Sequence, residues 1–156
     1  MIFTKKKIEN SLLKLSKLKK PIKPFDILVI DFLDEFQKEL KKQNLNFHLP
    51  DINALSFWLR KRNLLSLKKK YKDNFIRIGL GYIFHITPSN MPLSFFYSYV
   101  IGLLAGNYNI VKIPKKNFKQ IEIIRLILKK VLKKDKYRLI KNMTIFVKCE
   151  RDIDFI

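Results

Sequence analysis

Residues 79–114 read Gly79-Leu-Gly-Tyr-Ile-Phe-His85-Ile-Thr-Pro-Ser-Asn90-Met-Pro-Leu-Ser-Phe95-Phe-Tyr-Ser-Tyr-Val100-Ile-Gly-Leu-Leu-Ala105-Gly-Asn-Tyr-Asn-Ile110-Val-Lys-Ile-Pro114. An Ile- and Phe-rich run ending in Thr87-Pro88-Ser89-Asn90 predicts a strand closed by a polar turn. The stretch 91–105 is apolar nearly all round, which predicts a buried helix, and Gly106-Asn107 supplies a left-handed stop. Residues 109–113 then predict a second short strand, unbroken in apolar character as parallel strands covered on both faces are. This strand, helix and strand form the unit that builds a parallel sheet and places a binding site at its carboxyl edge.

Downstream, Asn117 with Gln120 has the spacing of a capping box. The helix after it turns Phe118, Ile121, Ile124, Leu128 and Val131 inward and closes on Lys129, Lys130, Lys133 and Lys134. A strand over 144–147 completes a β-α-β-α-β series. Upstream, residues 75–86 predict a bent or bulged strand with Gly79 and Gly81 inside it. Before it, Lys68, Lys69, Lys70 and Lys72 make a charge run that suits an anion patch or, as such runs more commonly do, a solvated connector between the helical and sheet portions.

The front of the chain predicts helices. Residues 5–19 put Ile8, Leu12 and Leu15 on one face among lysines, a pattern that suits docking on the protein's own core or adsorption to a membrane surface. Pro21 and Pro24 make an extended linker. Asp26 caps a helix to about Lys42 carrying Val29, Phe32, Leu33, Phe36 and Leu40, and Pro50 opens another with Ile52, Leu55, Trp58 and Leu59 on one side. The predicted organisation is a helical region over 1–73 and a partial nucleotide-binding α/β domain over 74–156.

The 156 residues carry a net charge of +20, and 47% are apolar. That apolar share supports a core and excludes disorder. Lys outnumbers Arg 27 to 6. Specific phosphate and base readers lean on the bidentate fork of Arg, so the skew favours solvated lysine faces over a nucleic-acid partner. The single cysteine, Cys149, excludes a disulfide framework, and with only His48 and His85 no metal site is expected. His48 reads as a loop histidine and His85 as a core histidine with a satisfied hydrogen bond. Lysines interrupt every apolar stretch near the N-terminus, so no export signal is expected; the longest apolar run is too short to span a bilayer, so no transmembrane segment is expected either. The expected location is cytoplasmic.

The segments Phe84-His-Ile-Thr-Pro-Ser-Asn-Met-Pro-Leu93, Gly102-Leu-Leu-Ala-Gly-Asn107 and Ile110-Val-Lys-Ile-Pro114 resemble the cofactor-binding half of the aldehyde dehydrogenase superfamily, and within it the LuxC-type acyl-CoA reductases. Asp51-Ile-Asn-Ala-Leu-Ser-Phe-Trp-Leu-Arg-Lys-Arg-Asn63 also looks like that family, and the resemblance covers about residues 25–150. It implies an α/β fold: a helical N-terminal region followed by a partial Rossmann-like parallel sheet of the aldehyde dehydrogenase type, incomplete at the C-terminus. The implied activity is reduction of an acyl thioester to a long-chain aldehyde by NADPH. The acyl group would come from acyl-CoA or from a companion acyl-transferring protein.

At the matching positions the resemblance implies that Asn90 serves an oxyanion hole, where residue type alone is equally that of a turn or cap. It implies that Thr87, Pro88, Ser89 and Lys112 line the cofactor, Lys112 reaching the adenosine ribose. Lys115 stands where relatives that prefer NAD often carry a glutamate, and a lysine there suits a 2′-phosphate, hence NADPH. The family's nucleophilic cysteine lies well downstream of these strands, and Cys149 matches no nucleophile motif. The chain is therefore expected to be an N-terminal portion, inactive alone, that pairs with a missing C-terminal half or forms a homo-oligomer. The alternative is a basic protein that binds nucleic acid or anionic membrane without catalysis.

Overall fold

In the computed structural model, which describes residues 2–3, 21–43, 49–71 and 75–147, Asp26 starts helix α1 (Ile27–Lys41) by accepting a hydrogen bond from the Leu28 N–H at 2.8 Å. The face carrying Val29, Ile30, Phe32, Leu33, Phe36 and Leu40 is fully buried. Pro50 opens α2 (Pro50–Trp58), which buries Ile52 and Leu55. The lysine run is not a connector: residues 68–70 are the last turn of α3 (Lys61–Lys70). That helix buries only Leu64 on its own account. It is held instead by Asp34 of α1, whose Oδ1 accepts from the Lys61 N–H at 2.9 Å, and by the Lys61–Asp31 ion pair at 2.6 Å.

A four-stranded parallel sheet runs in the order β1 (Ile2–Phe3), β4 (Thr144–Val147), β3 (Tyr108–Lys112), β2 (Tyr82–His85). Helix α4 (Ser94–Leu104) joins β2 to β3; α5 (Lys119–Val131), a single 3-10 turn (Asp135–Tyr137) and the short α6 (Arg138–Asn142) join β3 to β4. The fold class is thus α/β, with helices ahead of a parallel sheet. Helix α4 lies between the sheet and α1: the rings of Phe95 and Tyr99 meet Phe146 of β4, while Phe96 stacks on Phe36 with centroids 4.8 Å apart. Such ring pairs contribute about 0.5–1.5 kcal/mol each beyond their buried area.

Three further expectations need correction. The strand predicted over 75–86 is only four residues long, and Phe75, Ile76, Ile78 and Leu80 are exposed rather than entering the core. The backbone there is committed elsewhere: the Gly79 N–H donates to the Ile22 carbonyl, and the Leu80 and Gly81 N–H groups both donate to Asn107 Oδ1, at 2.6 and 3.2 Å. The buried helix starts at Ser94 and not at Met91, because Pro92 disfavours the helical conformation at the residue before it and the chain turns through Leu93 first. The capping box does not form: Gln120 donates instead to Asp51 Oδ2, and α5 begins after an extended Phe118 without a side-chain cap. The helix stop is as expected, with Gly106 at φ 83°. The helix predicted over 5–19, His48, Lys72 and Cys149 lie outside the described residues.

Beneath the sheet, three polar side chains interlock. Asn109 of β3 donates from Nδ2 to the Asn107 carbonyl, which leaves Oδ1 to accept from His85 Nε2 at 2.9 Å; His85 Nδ1 then accepts from Ser98 Oγ of α4 at 2.7 Å. Gly102 of α4 lies directly over this network, and a Cβ there would come within 2.0 Å of Asn109 Oδ1 and 3.0 Å of the His85 ring. Gly102→Ala is therefore expected to lower stability by about 1–3 kcal/mol, read from the urea midpoint, through overpacking and broken polar contacts.

The carboxylates concentrate on α1 and are answered by lysines from elsewhere. Glu39 pairs with Lys42 and with Lys130 of α5. Burial pushes the Glu35 carboxyl up, but hydrogen bonds from Lys134, Lys136 and Tyr137 outweigh it and hold the group down at about 2. A carboxyl whose affinity for protons falls on folding adds stability that is complete above its unfolded value near 4.5 and is lost as pH falls toward 2. Urea midpoints measured between neutral and acid pH should drop over that window. Glu35→Gln should flatten the drop and cost stability at neutral pH.

Candidate functional site

Parallel pairing sets the site. His85 is level with Val111, and Lys112 with Val147, so the chain leaves β2, β3 and β4 at one edge of the sheet. The turn after β2 carries Thr87, Pro88, Ser89 and Asn90; the loop after β3 carries Ile113, Pro114, Lys115 and Lys116. Carboxyl edges of parallel strands are where ligands of open α/β sheets bind.

The turn's own bonding leaves its functional groups available. Ser94 Oγ, on the first residue of α4, donates back to the Met91 carbonyl at 3.1 Å and lies 3.4 Å from that of Pro88. Ser89 and Asn90 are exposed. The Thr87 hydroxyl is buried yet has no hydrogen-bond partner among the described residues, an arrangement that costs about 1–3 kcal/mol unless something else reaches it. Lys112 is half-buried at the end of β3, and Lys115 is exposed beyond Pro114.

Beside that loop lies a small cleft of about 150 Å³, lined by the apolar Ile113, Pro114 and Phe118 and the polar Lys116, Asn117 and Arg125 among others. Glu122 also borders it, paired with Arg125 at 3.6 Å. The volume is below the range of about 300–1,000 Å³ usual for whole small-molecule sites. It admits one ring or sugar of a larger ligand and not a dinucleotide entire.

His85 is 7% exposed and both ring nitrogens are engaged by Ser98 and Asn109, so it is a core histidine. Asn107 and Asn109 are the residues that sequence reading passed over. The first binds the backbone at 80 and 81, and the second fixes the His85 ring. Their signal was an Asn-Tyr-Asn run facing two serines, Ser94 and Ser98, spaced four apart in an otherwise apolar helix. Among the described residues no cluster of His, Cys, Asp and Glu is able to hold a metal ion, and no helix is long and apolar enough to cross a membrane.

No curated protein and no solved structure matches the chain. Residues 16–147, by contrast, match the acyl-CoA reductase (LuxC) family. That span contains both strand ends, the helix between them and the turn that follows β2. The chain therefore belongs to the LuxC acyl-CoA reductase family.

Proposed function

We propose that this chain supplies the nucleotide-binding and oxyanion-stabilising part of an NADPH-dependent reductase that converts an acyl thioester into a long-chain aldehyde. The observation that carries the reading is the parallel register, which brings the Thr87–Asn90 turn and the Lys112–Lys116 loop to a single sheet edge within a stretch that matches the family. The proposed arrangement is Rossmann-like, of the aldehyde dehydrogenase type.

The residues present suit the cofactor. The buried Thr87 hydroxyl lacks a partner that a ligand hydroxyl or phosphate would provide. Lys112, Lys115 and Lys116 bring three cations to the β3 side, which suits a polyanionic ligand. In this reading Lys112 meets the adenosine ribose and Lys115 the 2′-phosphate, with Thr87, Pro88 and Ser89 against the ligand. NADPH supplies hydride to the acyl carbon. Asn90 donates its side-chain amide to the thioester oxygen as negative charge builds there, a contribution on the order of 3–4 kcal/mol for one well-placed donor. In this reading Cys149 is not the nucleophile: the thiolate that accepts the acyl group comes from outside these 156 residues, and the thioester from CoA or a companion acyl-transferring protein.

Calorimetric titration tests the reading. NADPH is expected to bind more tightly than NADH, Lys112→Ala to weaken both, and Lys115→Glu to weaken NADPH by about tenfold or more while NADH gains. Equal affinity for the two nucleotides, unchanged by Lys115→Glu, would remove the cofactor assignment. Salt-sensitive binding to duplex DNA with no NADPH binding would replace the whole reading by that of a basic binding protein. Acyl-CoA and NADPH mixed with the 156-residue chain alone are expected to yield no aldehyde.

A further inference from the structure

We propose that Asp51, acting through Gln120, is a positioning residue for the loop that carries Lys115, and so sets how strongly the site prefers NADPH to NADH. This role rests on the nucleotide reading above and adds to it a residue of the helical N-terminal region.

Residues 113–118 bridge β3 and α5, and the two ends of this loop are held differently. At the near end the Ile113 N–H donates to the Val147 carbonyl at 2.9 Å, which continues the ladder to β4, and Ile113 and Pro114 are buried. Lys112 lies inside that ladder, level with Val147, so the sheet places it. At the far end α5 begins after an extended Phe118 without a side-chain cap. The polar tie there is Gln120 Nε2, which donates to Asp51 Oδ2 at 2.9 Å across 69 positions of sequence. Between the two ends Lys115, Lys116 and Asn117 are exposed, with the Lys116 ammonium over the Phe118 ring.

Asp51 is itself fixed. It follows Pro50 in the first turn of α2, and its Oδ1 accepts from the Ile52 N–H at 2.9 Å, which leaves Oδ2 for Gln120. An ionised acceptor makes the tie stronger than one between neutral groups. Asp51 is also felt at the start of α4: Trp58 of α2 packs on Tyr97 with centroids 5.3 Å apart, and burial pushes the Tyr97 hydroxyl up, the Asp51 carboxylate adding to the rise. Helices α4 and α5 are the ones that follow β2 and β3, so one carboxylate reaches the beginnings of both. The pull of an exposed lysine on a phosphate falls with distance and is screened over about 8–10 Å in ordinary salt. Releasing the far end of the loop therefore weakens what Lys115 does for a 2′-phosphate and spares Lys112.

Calorimetric titration with NADPH and NADH, together with amide hydrogen exchange, tests it on the 156-residue chain. In Gln120→Ala, exchange at residues 115–118 without nucleotide is expected to rise about threefold or more, and the NADPH-over-NADH affinity ratio to fall about threefold or more, with NADH affinity within about twofold of the parent. Gln120→Glu sets one carboxylate against another and should lower the ratio further. Asp51→Asn/Gln120→Glu should restore it, because the new amide still offers its oxygen to the Ile52 N–H and turns its nitrogen to the new carboxylate. Gln120→Ala and the double variant decide the matter even if Gln120→Glu does not fold. A parental ratio in Gln120→Ala, unchanged exchange in the loop, equal weakening of both nucleotides, or a double variant no better than Gln120→Glu overturns the proposal and leaves the nucleotide reading standing. A parent that binds the two nucleotides equally, or neither, overturns that reading and this role with it.

Discussion

The hydrogen bonds that join His85, Ser98 and Asn109 fix three elements to one another. β2 supplies the histidine, β3 the asparagine and α4 the serine. Each is buried or half-buried, so losing one member leaves its neighbours without water to turn to, at about 1–3 kcal/mol per stranded group. With Gly102 removing any side chain between them, α4 is drawn down onto the strand pair. The level at which β2 and β3 end is therefore set from below, and that level decides what reaches the carboxyl edge.

Most of the architecture was legible in the residues because it follows periodicity and end signals. α1 announces itself through Asp26 and a repeating apolar face, α2 through Pro50, the α4 stop through Gly106, and β4 through an uninterrupted apolar run. The features that escaped depend on partners distant in sequence. Helix α3 has almost no apolar face, and its first turn is satisfied by Asp34 from another helix, so its lysines looked like a tether. Gln120 has the right spacing to cap its own helix but finds Asp51 instead. Residues 75–80 have strand-like composition, yet their amide groups bind Ile22 and Asn107. β1 and α6 are too short for any period to register. At the site, motif resemblance picked out Asn90 and Lys112, whereas Asn107 and Asn109 act through contacts that no motif encodes.

Electrostatics divides the molecule. Glu35, Glu39, Asp31 and Asp34 gather on α1 and are matched by Lys61, Lys130, Lys134 and Lys136 from α3, α5 and the turn beyond it. Burial also pushes the Tyr137 hydroxyl up, to about 12, with Glu35 accepting its proton in a hydrogen bond. The helical side is thereby close to locally balanced. Between Asp51 and Glu122, by contrast, twelve Lys and Arg residues face one carboxylate, and that stretch contains the sheet edge, where polyphosphate chemistry would meet them.

Arg77 stands in the middle of the aliphatic run, between Ile76 and Ile78. A six-residue window such as Phe75-Ile-Arg-Ile-Gly-Leu80, with an aliphatic residue in place of the arginine, would have the makings of a cross-β nucleus. A cation at its centre makes stacking of identical chains place like charges every 4.7–4.8 Å or so along a fibril, and Gly79 further lowers its strand propensity. The run, exposed as it is at Ile76, Ile78 and Leu80, is in this way a poor template for stacking of identical chains.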